Sequence, residues 1–205
     1  ILQITLKICT FSSSENRRAF AKSVKEALVR FGADGIDLDW EYPAIEGPPG
    51  HPFKDGDREN FTALVRELRK TLGKRYIISF AAGGFDTYFQ DAVEWKKVSR
   101  KVDFINLMSY DLVNGYSTVT GHHTPLYSTN ENLFSVDYGV NQMKKRGVPS
   151  KKIIAGIAFY GRVWQHTKNS NNGLYQDAEF KKMSSFGEIE KLKDSADYVF
   201  YWDDT

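Results

Sequence analysis

Short apolar runs alternate with amphipathic helical stretches along this chain, and that alternation restricts it to a parallel sheet with helical crossovers. The first strand is expected at residues 5–11 (TLKICTF). Ser12 and Glu15, three apart, offer a capping box, and Phe20, Val24, Leu28 and Phe31 then recur at helical spacing up to Gly32. A second strand at 35–40, a proline- and glycine-rich loop at 43–56 and a helix at 58–72 follow. That helix carries Phe61, Leu64, Val65 and Leu68 on one stripe and stops at Gly73. Strands at 76–82, 102–110 and 153–159 alternate with a short helix closing at 95–98 and a helix bearing Val136, Val140 and Met143. The strands are near-continuously apolar, as burial on both faces demands.

Two α/β architectures fit this rhythm. A doubly wound sheet usually announces itself by a glycine-rich phosphate loop after its first strand, and Gly83-Gly84 is too little to serve. A (β/α)8 TIM barrel gathers its reactive residues at the C-terminal ends of several strands. Here Asp39 and Glu41, Tyr110 and Asp111, and Tyr160 and Arg162 all fall at such ends. The barrel is therefore the expected fold over residues 1–162, incomplete because only five strands are countable. Residues 163–205, rich in Lys, Asn, Ser and Asp, read as the start of an inserted α+β subdomain with a short helix at 179–192 and an aromatic strand at 198–202.

Composition excludes some classes of function. The 28 basic and 26 acidic residues are well mixed, so no basic block argues for nucleic acid. No apolar run approaches the ~20 residues that span a bilayer. Cys9 is the sole cysteine, which forbids an internal disulfide. The chain begins at Ile1, so the lack of a signal segment carries no information about export. Aromatic residues, 14% of the chain, suit either a large core or a cleft that stacks on sugar rings.

The chemistry concentrates at residues 34–43, DGIDLDWEYP. Strand side chains alternate, so Asp37, Asp39 and Glu41 share one face while Ile36, Leu38 and Trp40 share the other. Three carboxylates on a buried face repel one another and lose hydration, which leaves two solutions: protons on some of them, or a metal ion. A carboxyl held neutral by its neighbours is what acid catalysis needs. Asp34 has the opposite parity and is expected in a local turn or cap, and Trp40 is expected to pack against the helices. His122 and His123, side by side in a loop, do not converge on one metal and are expected as solvent-exposed or rim residues.

DGIDLDWEYP closely resembles the D-x-x-D-x-D-x-E signature of family 18 glycoside hydrolases, the chitinases and their relatives. Met108-Ser-Tyr-Asp111 is similar to that family's strand-six motif, and the run from Gly156 to Arg162 (GIAFYGR) to its strand-seven motif. Residues 8–12 stand where the family usually has S-x-G-G. The resemblance implies strands three to seven of the barrel plus part of the insertion after strand seven, with strands one, two and eight absent. A segment so cut is expected to belong to a longer protein and to be unstable or weakly active alone.

The resemblance also implies a substrate-assisted, retaining cleavage of chitin or another N-acetylglucosamine-containing oligosaccharide. Glu41 is then the acid, Asp39 the acetamido clamp, Asp37 its proton-sharing partner and Tyr110 the donor to the acetamido oxygen. Met108 lines the acetamido pocket, Asp111 and Arg162 bind sugar hydroxyls, and Tyr160 and Tyr42 lie beside the sugar. No metal, cofactor, nucleic acid or membrane partner is expected. The complete protein is expected to be a secreted, cell-surface or periplasmic monomer. Two alternatives implied by the same resemblance are an endo-β-N-acetylglucosaminidase acting on N-glycans and a lectin-like chitin binder.

Overall fold

The computed structural model describes residues 1–5, 11–192, 195 and 198–203. They form two compact units, Ile1–Met108 with Gly139–Ala155, and Ser109–Tyr138 with Gly156–Thr205.

The first unit holds five strands: β1 (Leu2–Thr5), β2 (Gly35–Asp39), β3 (Ile77–Gly83), β4 (Phe104–Met108) and β5 (Ile153–Ala155). They lie in the order β1-β2-β3-β4-β5, every neighbouring pair parallel. Sheet order that follows chain order has no switch point, which excludes the doubly wound alternative and leaves the barrel. Between the strands run α1 (Ser14–Phe31), α2 (Asp57–Leu72), a π-helical turn at Tyr88–Ala92 and the short α3 (Trp95–Val98); α4 (Val136–Lys145) precedes β5.

The first expected strand is observed only at its start: β1 ends at Thr5, residues 6–10 lie outside the described residues, and Phe11 is in a turn. Ser13, not Ser12, caps α1. Its backbone is extended and its Oγ accepts from the Glu15 and Asn16 amides at 3.2 and 3.4 Å, so the chain enters the helix one residue late for a Ser12–Glu15 box. At the other end Gly32 takes φ +62°, a left-handed cap that a side chain would strain. The expected strand at 153–159 stops at Ala155, the last residue with a register partner on β4; Ile157 and Phe159 beyond it are exposed.

The core follows the helical stripe and the strand parity. Phe61, Leu64, Val65 and Leu68 of α2 are fully buried with Ile36, Leu38, Ile78, Phe80, Ile105 and Leu107 of the sheet. Each such side chain contributes about 1.5–3 kcal/mol of transfer free energy. Gly139 on α4 is a close-packing glycine, because a Cβ there would stand 2.8 Å from a Leu107 methyl. Arg17 ties α1 to its surroundings through the Phe11 carbonyl and Asn60.

The second unit carries β6 (Tyr160–Gln165) and β7 (Glu179–Ser185), paired antiparallel with a bulge at Val163/Trp164, and then α5 (Phe186–Leu192). The expected helix at 179–192 thus forms only over its second half. Its first half, EFKKMSS, is strand β7 and places Phe180 edge-on to Trp164 at 5.8 Å. The switch to helix is capped by Glu188, which accepts from the Ser185 amide and both serine hydroxyls. Residues 198–203 carry no strand.

One arginine staples the N-terminal ends of β3 and β4. Arg69 donates Nε to the Lys101 carbonyl (2.7 Å), Nη1 to the Gly73 and Tyr76 carbonyls (2.7 and 2.9 Å) and Nη2 to Asp103 (2.5 Å). Asp103 also accepts from the Ile78 amide at 2.8 Å. Arg69→Ala leaves three carbonyls and a carboxylate without this donor and is expected to cost about 2–3 kcal/mol, since the site is partly solvated. Arg69→Lys recovers less than half, lacking the fork. Urea unfolding midpoints of the three proteins check both expectations.

Candidate functional site

The acidic residues are placed by the pleat of β2. Ile36, Leu38 and Trp40 point into the helix-facing core, where Trp40 sits between Phe11 (5.8 Å) and Phe61 (6.1 Å), as its parity requires. Asp37, Asp39 and Glu41 alternate with them and are each partly buried. Asp34 keeps out of this cluster; its carbonyl accepts from the Ile77 amide at 2.9 Å.

Asp37 takes its partners from the next two strands. Ser79 of β3, its register neighbour, donates at 2.6 Å, and Asn106 of β4 donates to the same oxygen at 2.8 Å. Burial nevertheless outweighs these donors and, with the charge of Asp39, holds the Asp37 carboxyl above the usual aspartate range. Ser79 and Asn106 were legible in principle as lone polar residues inside apolar strands, IISFAAG and FINLM.

Asp39 is raised more simply. Burial leads, followed by the charge of Glu41 and a hydrogen bond with it; the Thr5 hydroxyl, register partner on β1, and His51 pull the other way. A hydrogen bond between two carboxyl groups needs a proton on one of them. One Asp39 oxygen, Oδ1, is buried without a hydrogen-bond partner among the described residues. His51, in the loop after the strand, donates Nδ1–H to the Glu41 carbonyl at 2.6 Å; no spacing rule pointed to it.

Apolar and aromatic groups close around the pair. Tyr42 stands edge-on to Phe85 and Tyr88, each at 5.3 Å, and burial and the Glu41 carboxylate push its hydroxyl up. Tyr88, fully buried, is pushed up by the same two causes. Met108 ends β4 opposite Gly83, where a Cβ would meet Phe85 and Tyr88 at 2.8 and 3.0 Å. The bond between Glu41 and Tyr42 is cis.

The remaining expected residues gather in the second unit. Asp111 accepts from the Tyr160 hydroxyl at 2.7 Å and from Arg162, and Tyr110 meets Tyr160 edge-on at 6.4 Å. Burial alone would raise the Asp111 carboxyl, but His123, Tyr160 and the Arg162 guanidinium together hold it down at about 2. Burial and the Asp111 bond push the Tyr160 hydroxyl up. Arg162 lies over the Phe180 ring at 5.4 Å. Of the two histidines only His122 is substantially exposed, its side chain 38% accessible and paired with Asp203 at 2.6 Å; the His123 side chain is only 15% exposed, between Asp111 and Tyr160. Each histidine has a carboxylate neighbour, Asp203 for His122 and Asp111 for His123.

Among the described residues no three His, Cys, Asp or Glu side chains converge as metal ligands, and no helix is long and apolar enough to cross a membrane.

The raised Asp39 sets a pH dependence. Its ionised form is disfavoured in the fold, so the folded chain loses stability as pH climbs from the ordinary aspartate range through the raised value. Asp39→Asn is expected to raise the thermal midpoint at about pH 8, and the gain should vanish at about pH 3, where the aspartate is protonated folded or unfolded. Calorimetry at both pH values checks the sign.

The chain also resembles known proteins. The family model for glycosyl hydrolases family 18 matches residues 9–205. Chitinase A1 of Niallia circulans is 33% identical over 80% of this chain and 26% of its own length. Oviduct-specific glycoprotein of Papio anubis is 37% identical over 86% of this chain and 28% of its own. The chitinase ChiA74 structure from Bacillus thuringiensis superposes with a TM-score of 0.89 and 30% identity, over 99% of this chain and 39% of that one. The chain thus spans little more than a quarter of the length of these two relatives, and its five-stranded parallel sheet fits part of a (β/α)8 barrel. It belongs to glycoside hydrolase family 18.

Proposed function

We propose that this chain carries the catalytic strand of a retaining hydrolase of β-1,4-linked N-acetylglucosamine chains, chitin or its oligosaccharides. The carboxyl pair Asp39–Glu41, with a buried Asp39 oxygen lacking a donor, carries the reading. The acetamido N–H of the substrate is a donor of the right kind for that oxygen. Similarity to chitinases supports the substrate class.

In this reading Glu41 protonates the glycosidic oxygen as the bond to the anomeric carbon breaks. The acetamido carbonyl oxygen of the same sugar bonds to that carbon, giving an oxazolinium ion. Asp39 holds the acetamido N–H and offsets the developing positive charge, and Asp37, fixed by Ser79 and Asn106, supports it through the pair's shared protonation. Water then opens the ring, its proton passing to Glu41, with net retention. Tyr110 donates to the acetamido oxygen and Met108 walls the acetamido group. Tyr160 and Tyr42 border the sugar, whose hydroxyls meet Asp111 and Arg162. Asp111, kept ionised, suits hydroxyl donors. Residues 163–205 open the inserted subdomain. Polymeric chitin does not enter cells, so the enzyme acts outside.

Similarity to oviduct-specific glycoprotein, whose name states no hydrolase activity, favours one second reading, a chitin binder that does not cut. The full-length protein and its Glu41→Gln variant are to be incubated with chitin oligosaccharides and a high-mannose glycopeptide. Wild type is expected to cut the oligosaccharides, releasing the β anomer, and Glu41→Gln to lose about 10²–10⁴-fold in kcat while still binding. Binding without cleavage would establish the lectin reading, and cleavage of the glycopeptide alone the N-glycan one. Full activity in Glu41→Gln removes Glu41 as the acid.

A further inference from the structure

We infer that His123 is the positioning residue of the Asp111–Tyr160–Arg162 cluster, the side chain that keeps the Asp111 carboxylate aimed. The inference rests on the proposal that Asp111 and Arg162 bind sugar hydroxyls.

Three stretches of chain meet at this histidine. Its carbonyl accepts from the Leu112 amide at 3.0 Å, beside Asp111, and the next residue, Thr124, donates its hydroxyl to the Ser109 carbonyl at 2.7 Å. Ser109 in turn donates to the Gly156 carbonyl at 3.1 Å. The imidazole completes the lacing. Its Nε2 lies 3.1 Å from the Tyr160 carbonyl, which can only accept, so Nε2 carries a hydrogen. The ring also lies against the Tyr160 ring, centroids 5.2 Å apart. Nδ1 stands 3.7 Å from the Asp111 carboxylate and is buried without a hydrogen-bond partner among the described residues.

Asp111 sits at φ +58°, in the left-handed region that aspartate adopts more readily than most residues with a Cβ, so its partners rather than backbone strain aim its carboxylate. Tyr160 and Arg162 hold one carboxylate oxygen, and Arg162 is itself fixed on Phe180. His123 is the group that fastens Tyr160's backbone to the Asp111 segment.

Four forms of the full-length protein decide it: wild type, His123→Phe, His123→Ala and His123→Gln. Phe keeps a ring against Tyr160 but loses both nitrogens, and Gln keeps an N–H that can reach the Tyr160 carbonyl. On chitin oligosaccharides, Phe and Ala are expected to raise KM about tenfold with kcat within about twofold, and Gln to restore most of the loss. Wild-type KM in Phe and Ala overturns the inference, and so does a loss in Gln equal to theirs. Crystal structures of the same variants supply an arm independent of activity: Asp111 should leave Tyr160 and Arg162 in Phe and Ala and stay in Gln. An Asp111 unmoved in all three overturns the inference. An inactive wild type overturns the hydrolase proposal alone, because the crystallographic arm still decides His123.

Discussion

β2 is paired on both edges, between β1 and β3, and carries carboxylates on one of its faces. Desolvation of those groups governs the site. It raises Asp37 and Asp39 above the ordinary aspartate range even though Ser79 and Asn106 donate to the first and Thr5 to the second. The donors arrive from β1, β3 and β4 because parallel register sets like-parity residues of adjacent strands side by side. The apolar half of β2, packed on α2 through Trp40 and Phe61, holds the strand in place against that cost.

The second unit solves the opposite problem. Asp111 is also partly buried, yet an imidazole, a phenol and a guanidinium hold it at about 2. One carboxylate is built to stay charged and two others to hold protons. Like residues are thus driven to opposite protonation states by their surroundings. Asp111 is thereby kept ionised as a hydrogen-bond acceptor, whereas burial favours the protonated forms of Asp37 and Asp39.

Much of this was legible in the residues. Asp37, Asp39 and Glu41 share parity, and Trp40 opposes them, in any strand whatever its neighbours. The stripe Phe61, Leu64, Val65, Leu68 names a helix and the face it buries. Local signals failed where two were in competition. Ser12 and Ser13 are equivalent to a capping rule, and only the path of the chain into α1 chose Ser13. Residues 179–185 read as helix until β6 supplied antiparallel partners. His123 looked like a rim residue because nothing in its own segment identifies Asp111 as its partner.

By itself the sequence determined the alternation of strand and helix, the parity of the acidic strand and its apolar reverse, because these depend on backbone period alone. Tertiary structure decided which groups hold each carboxyl: Ser79 and Asn106 for Asp37, Glu41 and Thr5 for Asp39, His123, Tyr160 and Arg162 for Asp111. Desolvation and hydrogen bonding depend on distance in space rather than along the chain. Asn106 lies 69 residues from Asp37, and only the sheet brings them within 2.8 Å.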